Sequence, residues 1–254
     1  MTKIIMHGCS GKMGHVVCNL VKDDNDCVIA AGIDPFGDSP DFTVYKTPDL
    51  CDTEADVIID FSTASAVPAL LDYAVEKQIP VVLCTTGLSD EISAKVKEAS
   101  EKVAILKSAN MSVGVNLLFS LVQKAALALT ESGFAIEIVE QHHNQNLDAP
   151  SGTAIAIADA INEAMDSRYN YEYDRSQVRE KRTNTEIGIH SVRGGNIVGE
   201  HDVIFAGRDE IIEINHKAMS KEIFAVGAVK AAKFLAGKPA GFYTMKDALK
   251  DVLE

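Results

Sequence analysis

The sequence predicts an α/β chain: a parallel-sheet domain plus a second α+β domain with an open mixed sheet. Three observations predict it. Short apolar runs rich in Val and Ile alternate with segments of helical period over residues 3–109. Those runs are unbroken rather than alternating, as expected of strands covered on both faces. Between residues 185 and 218, three strand-like runs follow one another across short turns, the habit of an antiparallel or mixed sheet.

The elements follow in order. KIIMHG (3–8) reads as a buried strand, KMGHVVCNLVK (12–22) as a helix and CVIAAGID (27–34) as a second strand. DVIIDF (56–61), VVLCTT (81–86) and VAILKSA (103–109) are further strands. Helical periods fill 64–78 and 89–101 between them. Pro68 fits a helix only in its first turn. Ser89 is placed to start the next helix, with Asp90 and Glu91 at its positive end. The second part holds a long apolar helix (112–131), a strand (134–143), a helix (153–165) and three strands (185–194, 200–207 and 210–218). Arg208-Asp209 marks a tight connection between the last two. The polar, tyrosine-rich stretch 167–184 reads as a long loop. Helical segments 221–237 and 244–254 are placed to return to the first domain.

Composition bounds the function. The chain has 254 residues, 46% of them apolar, which suffices for a real core and one or two domains. Lys+Arg number 24 and Asp+Glu 37, a net charge of −13. A surface that acidic disfavours nucleic acid and anionic membranes as partners. The first eight residues lack the apolar core of a signal peptide, and no uncharged apolar stretch of membrane-spanning length is expected. Five cysteines, an odd number without a CxxC pair, fit reduced thiols in the cytoplasm.

The glycine motif refines the first domain. Gly8-Cys9-Ser10-Gly11-Lys12-Met13-Gly14 follows a strand and opens a helix. Such a turn lets the backbone approach a pyrophosphate, and the helix N-terminus offers N–H groups and the positive end of its dipole. Asp34 ends the second strand, 20 residues beyond Gly14, where a ribose-binding acid is expected. The first domain is therefore of the Rossmann type. A carboxylate there favours NADH, and Pro35 follows it rather than an arginine that would grip a 2′-phosphate; Lys12 offsets this in part. NADH is expected to serve at least as well as NADPH. Cys84-Thr85-Thr86-Gly87 ends another strand, where small hydroxyl residues admit a nicotinamide ribose, or simply start a helix.

The chemistry concentrates in 137–161. His142 and His143 end a strand, and Ser151-Gly152-Thr153 opens a helix after Asp148 and Pro150. Imidazole is the natural proton donor near neutral pH. The N–H groups of Gly152 and Thr153, with the Thr153 hydroxyl, suit a carboxylate. No third ligand at zinc spacing accompanies the histidines, so no metal is expected. The basic residues between Arg175 and Arg193 read as a solvated loop more readily than as an anion clamp.

These stretches resemble the 4-hydroxy-tetrahydrodipicolinate reductases, historically the dihydrodipicolinate reductases, of bacterial diaminopimelate and lysine synthesis. The family pattern E-H-H-x-x-K-x-D-x-P-S-G-T-A is met by residues 140–154, with Glu140-Gln141 standing before the histidines. GCSGKMG, CTTG, 108–116, 192–207, 214–235 and 241–249 also resemble family stretches in the same order. The resemblance implies a homotetramer in which 1–111 with 222–254 bind the dinucleotide, and 112–221 bind substrate and build the tetramer. It implies hydride transfer from NADH or NADPH to a small cyclic dicarboxylate. By the same resemblance His142 is the proton donor, and His143, Ser151, Gly152 and Thr153 are substrate contacts. It further places Cys84, Thr85, Thr86, Ser108, Ala109, Asn110, Met111, Lys221 and Phe224 around the cofactor.

One position departs from the family. Asn146 stands where the family has a lysine that assists protonation. An amide carries no charge and supplies no proton at neutral pH. The departure implies slowed turnover, and its alternative is a weakly active or inactive NAD(H)-binding relative with a regulatory or binding role.

Overall fold

In the computed structural model, which describes residues 1–177 and 179–253, the chain divides into two compact units. The first joins Met1–Val113 to Glu222–Glu254, and the second is Gly114–Lys221.

The first unit is a seven-stranded sheet whose paired strands all run parallel, in the order β12-β6-β5-β4-β1-β2-β3. Its strands are β1 (Thr2–His7), β2 (Cys27–Ile33), β3 (Val44–Tyr45), β4 (Val57–Asp60), β5 (Val81–Leu83), β6 (Ala104–Leu106) and β12 (Gly241–Tyr243). Alternate residues feed two cores. Ile4, Met6, Ile59 and Leu106 pack with α1 (Lys12–Lys22) and α6 (Glu222–Leu235). Ile5, Ile58, Leu83 and Ile105 pack with α2 (Val67–Lys77) and α3 (Asp90–Ser100). Burial on both faces is why these strands read as continuous apolar runs. Pro68 lies in the first turn of α2, where its missing N–H costs no hydrogen bond. Ser89 caps α3 by accepting from the Ile92 N–H at 3.3 Å. The strand order reverses beside β1, with β2 and β3 on one side and β4, β5 and β6 on the other. That switch point is where open α/β sheets hold ligands.

The second unit is a five-stranded mixed sheet in the order β11-β10-β7-β9-β8. It is built from β7 (Ala135–His142), β8 (Asn170–Glu172), β9 (Glu186–Arg193), β10 (Gly199–Ala206) and β11 (Ile211–Ala218). β10 runs antiparallel to both β7 and β11, while β7, β9 and β8 are parallel. Ile136, Ile138, Ile187, Ile189, Val203 and Phe205 pack against α4 (Val113–Leu129) and α5 (Gly152–Ala164).

Three expectations are corrected. The 167–184 stretch is not all loop: Asn162 grips Tyr169 through two hydrogen bonds of 3.0 and 2.9 Å, which lays β8 along the edge of the sheet. The basic residues of that region are not merely solvated, because Arg175 pairs with Glu186, Arg182 with Glu137 and Arg193 with Glu140. The C-terminal helix is broken into α7 (Met245–Ala248) and α8 (Lys250–Leu253) by Leu249, whose side chain turns into the first core; Glu254 lies outside the described residues. The helical stretch Val113–Ser132 passes a membrane-span test by length and composition, but it carries Lys124 and Glu131, and Leu118, Val122 and Ala126 of α4 are buried in the second core.

Candidate functional site

In the first unit, the glycine turn and Asp34 meet at the carboxyl ends of β1 and β2. Gly8 has φ +80°, and a β-carbon there would stand 2.6 Å from the Phe61 carbonyl oxygen, so only glycine lets the turn approach that loop. Gly11 is the N-cap of α1, and among the described residues no side chain caps it. The first-turn amides of α1 therefore face outward at the positive end of the helix. The buried Asp34 carboxylate accepts from the Ser10 N–H at 3.1 Å and the Phe36 N–H at 3.0 Å. It thus ties the glycine turn to β2, and each oxygen keeps capacity for a further donor such as a ribose hydroxyl.

The other residues expected around the cofactor follow the next strands. Cys84 through Thr86 leave β5 and Ser108 through Met111 leave β6. Asn110 is buried, and its Oδ1 accepts from the Ser112 N–H at 2.8 Å, which shapes the second of these loops. Phe224 lies in the first turn of α6 against the first core. Lys221, exposed, precedes that helix.

In the second unit, β7 carries Glu140 and His142. Strand alternation puts Ile136, Ile138, Glu140 and His142 on one face. β7 ends at His142, so His143 leaves the strand and the alternation rule does not govern it. Glu140 is fully buried. His142 Nδ1 lies 2.5 Å from Glu140 Oε2, and Arg193 grips the same carboxylate with two bonds of 2.7 and 2.9 Å. The Ser151 N–H donates to Glu140 Oε1 at 3.2 Å. Burial pushes the Glu140 carboxyl up, but hydrogen bonds from Arg193, Ser191 and His142 outweigh it and hold it below its ordinary value. An ionised Glu140 only accepts, so Nδ1 of His142 is the donor and Nε2 is left for chemistry. Gly199 makes room for that atom: a β-carbon there would stand 3.0 Å from His142 Nε2.

His201 completes the cluster. Its ring meets that of His142 edge-on at 5.3 Å, and its Nε2 lies 3.2 Å from Ser151 Oγ. Burial, and the nearby charge of His142, push His201 down to about 4. His201 therefore stays neutral near neutral pH. Its ordinary value is 6.5, so between about pH 6.5 and 4 the unfolded chain takes up a proton that the folded chain refuses. Stability is expected to fall as pH drops through that window, by up to roughly 3 kcal/mol. Urea unfolding at pH 7 and 4.5 checks it: His201→Asn should flatten the decline, and an unchanged decline would remove His201 as its cause.

Ser151 is buried, and its side chain accepts from the Ala154 N–H at 3.2 Å, capping α5. Its hydroxyl is thereby engaged by the first turn of α5 and by His201. Gly152 and Thr153, the first residues of α5, stand at its positive end. Asn146 is half-buried, and its Nδ2 donates to the Asp148 carbonyl at 3.4 Å. Arg193 also donates to that carbonyl. Sequence reasoning missed Glu140 and His201 and set Arg193 aside as one member of a basic cluster. The legible signal was a glutamate in register with the buried Ile136 and Ile138, a position that demands partners.

Comparisons with known proteins agree with this architecture. The family profile described as "Dihydrodipicolinate reductase, N-terminus" matches residues 2–111. "Dihydrodipicolinate reductase, C-terminus" matches residues 114–249. A 4-hydroxy-tetrahydrodipicolinate reductase of Caldanaerobacter subterraneus subsp. tengcongensis is 53% identical over 250 residues, 98% of this chain and 99% of that protein. One from Clostridium tetani is 48% identical over 246 residues, 96% of each chain. The dipicolinate-bound dihydrodipicolinate reductase from Paenisporosarcina sp. TG-14 shares the fold, with a TM-score of 0.80 over 97% of this chain and 98% of that one at 23% identity. With both halves matched and identity this high along nearly its full length, the chain belongs to the dihydrodipicolinate reductase family of oxidoreductases.

Proposed function

We propose that the chain reduces 4-hydroxy-tetrahydrodipicolinate to tetrahydrodipicolinate, with NADH or NADPH as reductant, in diaminopimelate and lysine synthesis. The observation that carries this reading is the shared carboxylate of Glu140. It fixes His142 through Nδ1 and the N-terminus of α5 through the Ser151 N–H. A proton donor and a carboxylate pocket are thereby built on one rigid group, which suits a cyclic dicarboxylate. The names of the 53% and 48% identical relatives support the same reaction.

The first unit fits a dinucleotide. The uncapped start of α1 suits a pyrophosphate, and Asp34 suits a ribose diol, which favours NADH at least as much as NADPH. The bound nicotinamide supplies the hydride. The 4-hydroxyl group departs as water, so that the hydride and one proton complete the balance. The remaining work belongs to the protein: Gly152 and Thr153 bind substrate carboxylate, His142 delivers that proton from Nε2, and Glu140 stabilises the imidazolium before that delivery. Arg193 does not substitute for the missing lysine, because its charge is matched by Glu140. Asn146 therefore leaves the pocket one cation short, and we read the chain as a slowed reductase.

NADH absorbance, followed with substrate generated by the preceding synthase, tests the reading. Turnover with NADH at a kcat/KM at least equal to that with NADPH is expected. Absence of turnover with intact NADH binding would favour the inactive-relative alternative. Thr153→Val should weaken substrate by about 1.5–3 kcal/mol, the worth of a hydrogen bond to a charged group. An unaltered KM, with unaltered binding of dipicolinate in calorimetry, would place the carboxylate elsewhere. The reading extends to a cytoplasmic homotetramer. The sheet face opposite α4 and α5 supports the tetramer, because it exposes Val192 and Ile211.

A further inference from the structure

The most deeply buried acid of the first unit lies beneath the loops that carry the residues expected around the cofactor. Asp60 ends β4, the strand between β1 and β5, and has no exposed surface. Its Oδ1 is 2.7 Å from His7 Nδ1 and accepts from the Ser62 N–H at 3.2 Å. Its Oδ2 accepts from the Thr85 hydroxyl at 2.6 Å. His7 and Thr85 are themselves buried. Backbone bonds reinforce the group: the Phe61 N–H donates to the His7 carbonyl and the Cys84 N–H to the Asp60 carbonyl, both at 3.0 Å.

A polar group this deep is costly unless every partner is in place. Here the partners stand at the carboxyl ends of three strands. His7 precedes the Gly8 turn, Ser62 follows β4, and Thr85 lies in the loop after β5. All three sit at strand carboxyl ends, on the crevice side of an open α/β sheet. Asp34 and the start of α1 occupy the β1–β2 side of the switch point and suit the ribose and pyrophosphate of an adenosine half. The second half of a dinucleotide must then run across the ends of β4 and β5, over the loops that Asp60 ties together.

We propose that Asp60, fixed by His7 and Thr85, is a positioning residue that sets the spacing of the crevice loops for the nicotinamide half of the cofactor. This rests on the dinucleotide reading of the first unit. Asp60 touches no ligand in this role. It acts through the Thr85 loop on one side and the Gly8 turn on the other, and it needs a donor at the place of His7 Nδ1.

Calorimetric titration of the full chain with NADH and, separately, with ADP tests it. ADP lacks the nicotinamide ring and its ribose and reports the adenosine half alone. Asp60→Asn should raise the Kd for NADH at least tenfold and that for ADP less than threefold. His7→Ala should do the same, and His7→Asn, whose amide can donate from the place of Nδ1, should return NADH to within threefold of the parent. Equal losses for both ligands, or no loss for NADH, overturn the proposal. So does a His7→Asn variant as weak as His7→Ala, which also decides the matter if Asp60→Asn does not fold. A parent chain that binds neither ligand would instead overturn the cofactor reading on which the proposal stands.

Discussion

His142→Gln is expected to lower kcat by roughly 10²–10⁴-fold, the range for loss of a general acid, with NADH affinity within a few-fold of the parent. Glutamine fills much of the imidazole's space but supplies no proton at neutral pH. The loss should fall on kcat because a proton donor acts in the transition state rather than in ground-state binding. The structure adds a reason for a large effect. His142 is oriented by a fully buried carboxylate, its Nε2 is given room by Gly199, and its neighbour His201 is kept neutral. Steady-state kinetics with a separate NADH titration checks it, and a kcat within a few-fold of the parent would take the proton-donor role away from His142.

The second large effect is a gain. Asn146→Lys is expected to raise kcat/KM by at least about tenfold, the low end of general acid assistance being roughly 10², with NADH affinity unchanged. The segment from His143 to Asp148 is a tight turn, with the Asn146 N–H donating to the His143 carbonyl at 3.0 Å. A lysine there adds an ammonium to a pocket whose other cation, Arg193, is matched by Glu140. Its charge should favour a dianionic substrate as well as proton transfer. The comparison is steady-state kinetics of both proteins at one pH. If the parent is already as fast as the lysine variant, then His142 acts unaided and Asn146 is no lesion.

Sequence period carried the larger elements because their burial is simple. Strands covered on both faces show as Val and Ile runs, and α3 announces itself through Ser89, Asp90 and Glu91. What escaped had too few residues to show a period. β3 has two residues, and β8 and β12 have three each. They form because neighbouring strands and the Asn162 clamp hold them, which is tertiary information. The site divides the same way. His142, Gly152 and Thr153 were legible from residue type and position, whereas Glu140, Arg193 and His201 come together from β7, β9 and β10. The pairing of those three strands, not their order in the sequence, assembles the cluster. Asp60 escaped for a related reason: it closes an apolar run and reads as an ordinary strand end until the register sets it beside His7.

The return of the chain to its first unit has a consequence for the order in which the protein is made. A ribosome that has completed residues 1–221 has delivered every strand of the second sheet. The first sheet at that moment lacks β12 at its edge beside β6, and the core on its α1 side lacks α6. Leu235, Met245 and Leu249, all buried in that core, are still to come. Until the last segment is released, the half that carries the glycine turn holds an uncovered apolar face, although its first residues were the earliest to emerge. Synthesis therefore finishes the second unit before the first.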